Sequence, residues 1–140
     1  MAKHSSILSG LNNALRTFVT SNSYVCGYAE TDEPSNKDAL WLRAHWLPGN
    51  SVAATVGSGG EDNNNGIFQI DVNRPSSSLL SEQMDAVDKI TDYFTAGKII
   101  PYNSLSIKVV SSSVTPSRHV GGFRRVSINV RYYVRTTRQL

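Results

Sequence analysis

Hydrophobic and polar residues alternate most regularly near the end of the chain. In "FRRVSINVRYYVRTT", Val126, Ile128, Val130, Tyr132 and Val134 fall on one side. Arg125, Ser127, Asn129, Arg131, Tyr133 and Arg135 fall on the other. A period of two over this length predicts a strand with one buried face. The same reading predicts a strand in "SLSIKVV", burying Leu105, Ile107 and Val109, and another in "IFQIDVN", with Phe68, Ile70 and Val72 inward and Arg74-Pro75 closing it. In "ALWLRAHWL", Leu40, Leu42, Ala44 and Trp46 alternate with Trp41, Arg43 and His45, and Pro48-Gly49 is expected to end the strand. Trp41 on its second face implies that something covers that face.

Two segments change to helical spacing. Residues 6–20 place Ile7, Leu8, Leu11, Leu15, Phe18 and Val19 on one stripe, with Ser5 or Ser6 as N-cap. Residues 76–98 carry a second stripe of Leu80, Met84, Val87, Ile90 and Phe94, started by serine and closed by Gly97. Glu82, Asp85, Asp88 and Asp92 form the outer surface of this helix. Long loops are expected at about 20–38, 49–66 and 111–122. The order α-β-β-α-β-β predicts one α+β domain over residues 1–140, a largely antiparallel sheet of four or more strands with two helices packed on one face.

Composition narrows the function. A chain of 140 residues with 39% hydrophobic and 18% charged residues fits one globular domain. No apolar run is long enough to span a bilayer, and the N-terminal stretch lacks an apolar h-region, so no membrane or signal segment is expected. Cys26 is the sole cysteine, which rules out an intrachain disulfide and a multi-thiolate zinc site and fits a small structural role.

Charge matters more by half than in total. Residues 1–97 set six basic residues against all eleven acidic ones, a net −5, whereas residues 98–140 hold eight basic residues and no acid. The split predicts a polarised surface able to meet nucleic acid, an acidic partner or another copy of the chain. Acidic helices packed beside a basic sheet would produce the same split.

Catalytic and metal motifs are weak. "GEDNNNGIFQIDV" mimics an EF-hand loop, with Glu61, Asn63 and Asn65 at alternate places and Gly66 sixth, but Val72 stands where the bidentate glutamate is required. His4, His45 and His119 are dispersed, and "GSGG" lacks the lysine of a phosphate loop. Neither an enzyme nor a cofactor is expected. Arg125, Arg131 and Arg135 with Tyr133 could track a phosphate backbone and stack on bases, a single-stranded nucleic-acid reading that predicts steep salt dependence.

The order of motifs is more specific than any one of them. A strand ending "AHWLPG", a Gly-rich polar loop, "NGIFQIDVNRP", a helix ending "YFTAGK" and a final "FRRVSINVRYYV" resemble the tail terminator (tail completion) proteins of long-tailed bacteriophages, over roughly residues 5–136. The resemblance implies a virion protein assembled in the host cytoplasm and located at the head-proximal end of the tail. It implies a ring of copies, expected to be a hexamer, that caps the tail tube, stops its polymerisation and docks the head-completion or neck protein. DNA would pass through the lumen without sequence-specific binding. A head-tail connector is the neighbouring alternative. Candidate interface or lumen residues are Glu61, Asp62, Asp85, Asp88, Arg124, Arg125, Arg131, Tyr133 and Arg135. The basic last strand is expected to oppose either the acidic second helix or the Glu61-Asp62 loop. The loop at 49–66 is expected to order on contact with tube or neck.

Overall fold

The structure, a computed structural model, describes residues 3–53 and 60–137. Along the chain it forms α1 (Lys3–Asn22), β1 (Val25–Gly27), β2 (Trp41–Ala53), β3 (Glu61–Arg74), α2 (Leu80–Tyr93), β4 (Ile99–Tyr102), β5 (Leu105–Val114), β6 (Arg118–Val120) and β7 (Phe123–Thr137). The strands order as β1-β2-β3-β7-β5-β4, with β6 also bonded to β7. Among the described residues, only the β1–β2 pairing is parallel.

Strand β7 is the centre because its alternation is the cleanest: Val126, Ile128, Val130, Tyr132 and Val134 are all buried. Register places Phe68, Ile70 and Val72 of β3 directly opposite Val130, Ile128 and Val126, so one continuous apolar face results. Ile7, Leu11, Leu15 and Phe18 of α1, and Ala86, Val87 and Ile90 of α2 with Phe94, join the same core as these strand residues. Helix α1 lies against β4 and β5, and α2 against β3 and β7. Gly10 lets α1 come close, since a Cβ there would stand 2.8 Å from Ile107 Cδ1 and 2.9 Å from Tyr102 Cβ.

Several boundaries differ from the expected ones. Helix α1 is already running at Lys3, and Ser6 is buried within it rather than capping it. Leu79 is the N-cap of α2 and makes no side-chain capping bond. Leu80 and Met84 are exposed, not core, and Gln83 takes the inward position with Ala86, Val87 and Ile90. The cause is polar: Gln83 Nε2 donates to the carbonyls of Val72 at 3.0 Å and Arg124 at 2.9 Å, and Arg74 Nε donates to Gln83 Oε1. Three bonds to one buried amide fix the helix rotation where the apolar spacing alone allowed two choices. Gly97 does not close α2, which ends at Tyr93; its N–H donates to Val109 O beside β4.

The expected loops are shorter than their composition suggests. Strand β2 continues through Pro48-Gly49 with a register irregularity before Ser51, and β3 already begins at Glu61. Of the loop at 49–66, residues 54–59 lie outside the described residues. The expected loop at 111–122 instead contains the end of β5, β6 and a two-residue hairpin at Gly121-Gly122. Both of these glycines have positive φ, as a type I′ turn requires. Strands β1, β4 and β6 have three or four residues each, too few to show a period. Pro101 fits β4 because β4 is a sheet edge.

Candidate interaction surfaces

The second face of the sheet divides into a covered half and an open half. In the covered half, Trp41 is 2% exposed, with Phe123 edge-on at 5.4 Å and Lys37 Nζ 4.9 Å from its ring centroid. Beside it Asp71, Asn73 and Ser127 are buried. Ser127 Oγ donates to Asp71 Oδ1 at 2.5 Å and Gln69 Nε2 donates to the same oxygen at 2.9 Å. His45 Nε2 lies 3.1 Å from Asp71 Oδ2, and Arg125 Nε lies 3.8 Å from that atom while donating to Asn73 Oδ1 at 2.7 Å. Arg118 donates to Ser127 Oγ and to Thr115 Oγ1. The network stitches β2, β3 and β7 to the β5–β6 connection.

A serine, a histidine and an aspartate thus come together, but not in an order that makes a nucleophile. A catalytic serine gives its proton to the base, and the carboxylate orients that base from behind. Here both Ser127 and His45 bond to Asp71 itself, and Ser127 is 1% exposed. The arrangement supports the sheet.

The open half carries a cleft of ≈ 520 Å³. Cross-strand register aligns Leu47, Ile67 and Arg131 in one row, followed by Asn65, Tyr133 and Lys108 in the next. Val110 completes an apolar wall. Tyr133 also lines a second, smaller cleft with Lys108 and Arg135. Arg131 and Arg135 are exposed. Lys108 Nζ sits 5.7 Å from the Tyr133 ring centroid, occupying the aromatic face that a base would need.

The candidate residues therefore separate. Arg131, Tyr133 and Arg135 share the open half of the second face. Arg125 is drawn into the Asp71 network. Arg124 follows the parity of Val126 and so belongs to the helix side of the sheet, where its carbonyl receives Gln83. Glu61 is no distant counterpart of the basic strand: its carboxylate lies 3.9 Å from Arg135 of the same chain, and Asp62 pairs in register with Thr136. Asp85 and Asp88 lie on the exposed side of α2, with Lys89 3.0 Å from Asp85. Of the charge split of the sequence, the four acids of α2 and the basic Lys108, Arg131 and Arg135 thus lie on opposite sides of one domain, with Glu61 on the basic side beside Arg135. Sequence reasoning missed Asp71, His45, Asn73 and Ser127, whose only local signal is a polar residue at alternate places.

The EF-hand mimic fails on geometry too. Glu61, Asn63 and Asn65 lie along β3 on one face, about 7 Å apart per pair of residues, and cannot close around one ion. Among the described residues no group of three His, Cys, Asp or Glu side chains converges on a metal position. Gly66 is not a turn residue; it is paired to both Pro48 and Tyr132 inside the sheet.

Burial pushes the Cys26 thiol up to about 12, against a smaller pull downward from Arg43 and Arg16. The thiolate fraction near neutral pH is then well below that of an ordinary cysteine, although the side chain is only half-buried. Alkylation of the folded protein should be correspondingly slow and should reach ordinary rates in denaturant, as a thiol-titration time course would show. Equal rates in both conditions would contradict the burial.

Comparison with known proteins agrees with the architecture. A family model described as "Phage tail terminator protein" matches residues 6–132. A solved structure superposes with a TM-score of 0.79 at 14% sequence identity, covering 99% of this chain and 100% of the other, a likeness of fold. No curated protein matches the sequence.

Proposed function

The chain belongs to the phage tail terminator family, and on that premise we propose that it caps the tail tube as a closed ring of identical copies. Membership makes it a structural component of a phage tail. In the proposed role the ring stops tube polymerisation at the head-proximal end and presents its other side to a head-completion or neck protein. A hexamer is the proposed stoichiometry, with DNA passing through the lumen unread.

The observation that carries the reading is the separation of charge onto opposite sides of the domain. A ring requires a heterologous contact, in which each copy offers two different surfaces. An exposed α2 with Glu82, Asp85, Asp88 and Asp92 against Lys89, and a sheet face with Lys108, Arg131 and Arg135, supply surfaces of opposite sign. Such complementarity fixes register and speeds encounter. Because Glu61 already neighbours Arg135 within the chain, α2 is the acidic surface proposed for the contact.

Electron microscopy of the purified protein should show rings, and added tail tubes should acquire a cap at one end. Asp85→Lys with Asp88→Lys should raise the concentration needed for assembly at least about tenfold at moderate salt. An unchanged ring mass by native mass spectrometry would remove α2 from the contact. Binding to filled capsids in the absence of tubes would favour the connector reading.

A further inference from the structure

We infer that a second copy of this chain seats the N-terminal corner of α2 in the cleft beside Arg131, so that the ring contact has an apolar anchor as well as a charged rim. The inference rests on the ring reading and specifies its contact. Leu79, Leu80 and Met84 are 64%, 58% and 38% exposed. Leu80 and Met84 are one helical turn apart, and the same line reaches Asp88 a turn later. Three large apolar side chains at one helix corner form a patch, not scattered exposure.

The cleft is patterned to match. Its apolar part is Leu47, Ile67 and Val110, with Leu47 and Val110 about half exposed. Along β7 the row of Ile67 and Arg131 leads to Tyr133 and then Arg135. From Leu80 to Asp88 the helix rises about 12 Å, at 1.5 Å per residue. From the Ile67 row to Arg135 the strand advances about 13 Å, at 3.3 Å per residue. An apolar end followed by a carboxylate thus faces an apolar end followed by a guanidinium at equal spacing. In this register Asp88 reaches the Arg135 end, where Glu61 of the same chain lies 3.9 Å away, and Arg131, which has no ion-pair partner among the described residues, can take the nearer Asp85 of the incoming helix.

The two patches of one molecule cannot meet each other, because α2 packs on the core side of the sheet and the cleft opens on the opposite side. Only a neighbouring copy can join them. The contact is heterologous and must either close into a ring or run on as a filament.

Two variants test it: Leu80→Glu with Met84→Glu, which spoils the corner, and Ile67→Glu with Val110→Glu, which spoils the cleft. Each should raise the assembly concentration at least about thirtyfold in native mass spectrometry, the scale of a lost hot spot. Mixed together they should form a one-to-one heterodimer and no ring, because exactly one good corner and one good cleft remain. Melting by circular dichroism should be unchanged; loss of rings together with a lowered melting temperature counts as unfolding and against the contact. Rings of normal mass from either variant overturn the contact while leaving the ring reading intact. Variant rings that no longer cap tail tubes also overturn it, assigning the cleft to the tube protein. Wild-type protein that forms rings neither alone nor on tube ends overturns both readings.

Discussion

Asp71→Ala is expected to lower the unfolding free energy by about 3–5 kcal/mol, the range found when one partner is removed from a buried charged network. The carboxylate is 1% exposed and receives Ser127, Gln69 and His45, with Arg125 close by. Its removal leaves the buried Ser127 hydroxyl without its acceptor and Arg125, which is partly exposed, without its ion-pair partner. Asp71→Asn should cost less, because the amide keeps an oxygen able to accept from both Ser127 and Gln69 and loses the charge and the acceptor that faces His45 and Arg125. Urea unfolding of the three proteins would rank them as wild type, Asn, then Ala. A loss below 1 kcal/mol for the alanine variant would mean that water replaces the carboxylate at no great penalty, and that the network is not a buried one.

The second large effect is expected at Gly66. A Cβ there would stand 2.5 Å from Tyr132 Oη and 2.9 Å from Leu47 O. Tyr132 is itself buried, and its hydroxyl accepts a 2.8 Å bond from Trp46 Nε1. Gly66→Val must displace the ring or the backbone of β2, so overpacking and the lost bond together should cost about 3 kcal/mol. For a domain of this size that is a fall of roughly 10 °C in melting temperature. The cause can be isolated with Tyr132→Phe, which removes the atom the new methyl group would strike. Gly66→Ala should then be milder in the Phe background than in the wild type, a coupling of about 1 kcal/mol or more. Strict additivity would place the strain at Leu47 O or at Tyr132 Cζ, each 2.9 Å from the added Cβ, instead.

Legibility from sequence followed the range of the forces involved. The inward residues of β5, β7 and the inner half of β3 were readable because a two-residue period needs no distant partner to be seen. Trp41 correctly announced a covered second face, though not that Phe123 and Lys37 cover it. The rotation of α2 was unreadable: Leu80-Met84 and Gln83-Ala86-Val87 are both spaced for a helix face, and only the carbonyls of Val72 and Arg124 decide between them. Residues 49–53 and 61–66 read as loop because Gly, Ser and Asn are poor strand formers, yet neighbouring strands supply their hydrogen bonds. The charge split was visible, but its meaning required knowing that Arg131 and Asp85 lie on opposite sides of one sheet. The Asp71 network brings residue 45, residues 69 and 71, and residues 118, 125 and 127 together from three separate stretches, and no local pattern links those stretches.

Strand β3 spans two environments, and that has a consequence for its stability. From Phe68 to Asn73 all but one of its residues are buried, whereas from Glu61 to Ile67 no apolar residue is. Its partner β2 is likewise exposed from Leu47 onward. Toward β2 the bonds before Phe68 have no core beside them and break at little free energy, while toward β7 Asn64 and Gly66 lie opposite the buried Val134 and Tyr132 and open less readily. One strand therefore spans a tight end and a loose end, and hydrogen exchange of its amides bonded to β2 should fall by orders of magnitude across a step near Ile67. A partner that grips the loose end would protect it without altering the core, and in doing so would record its own footprint.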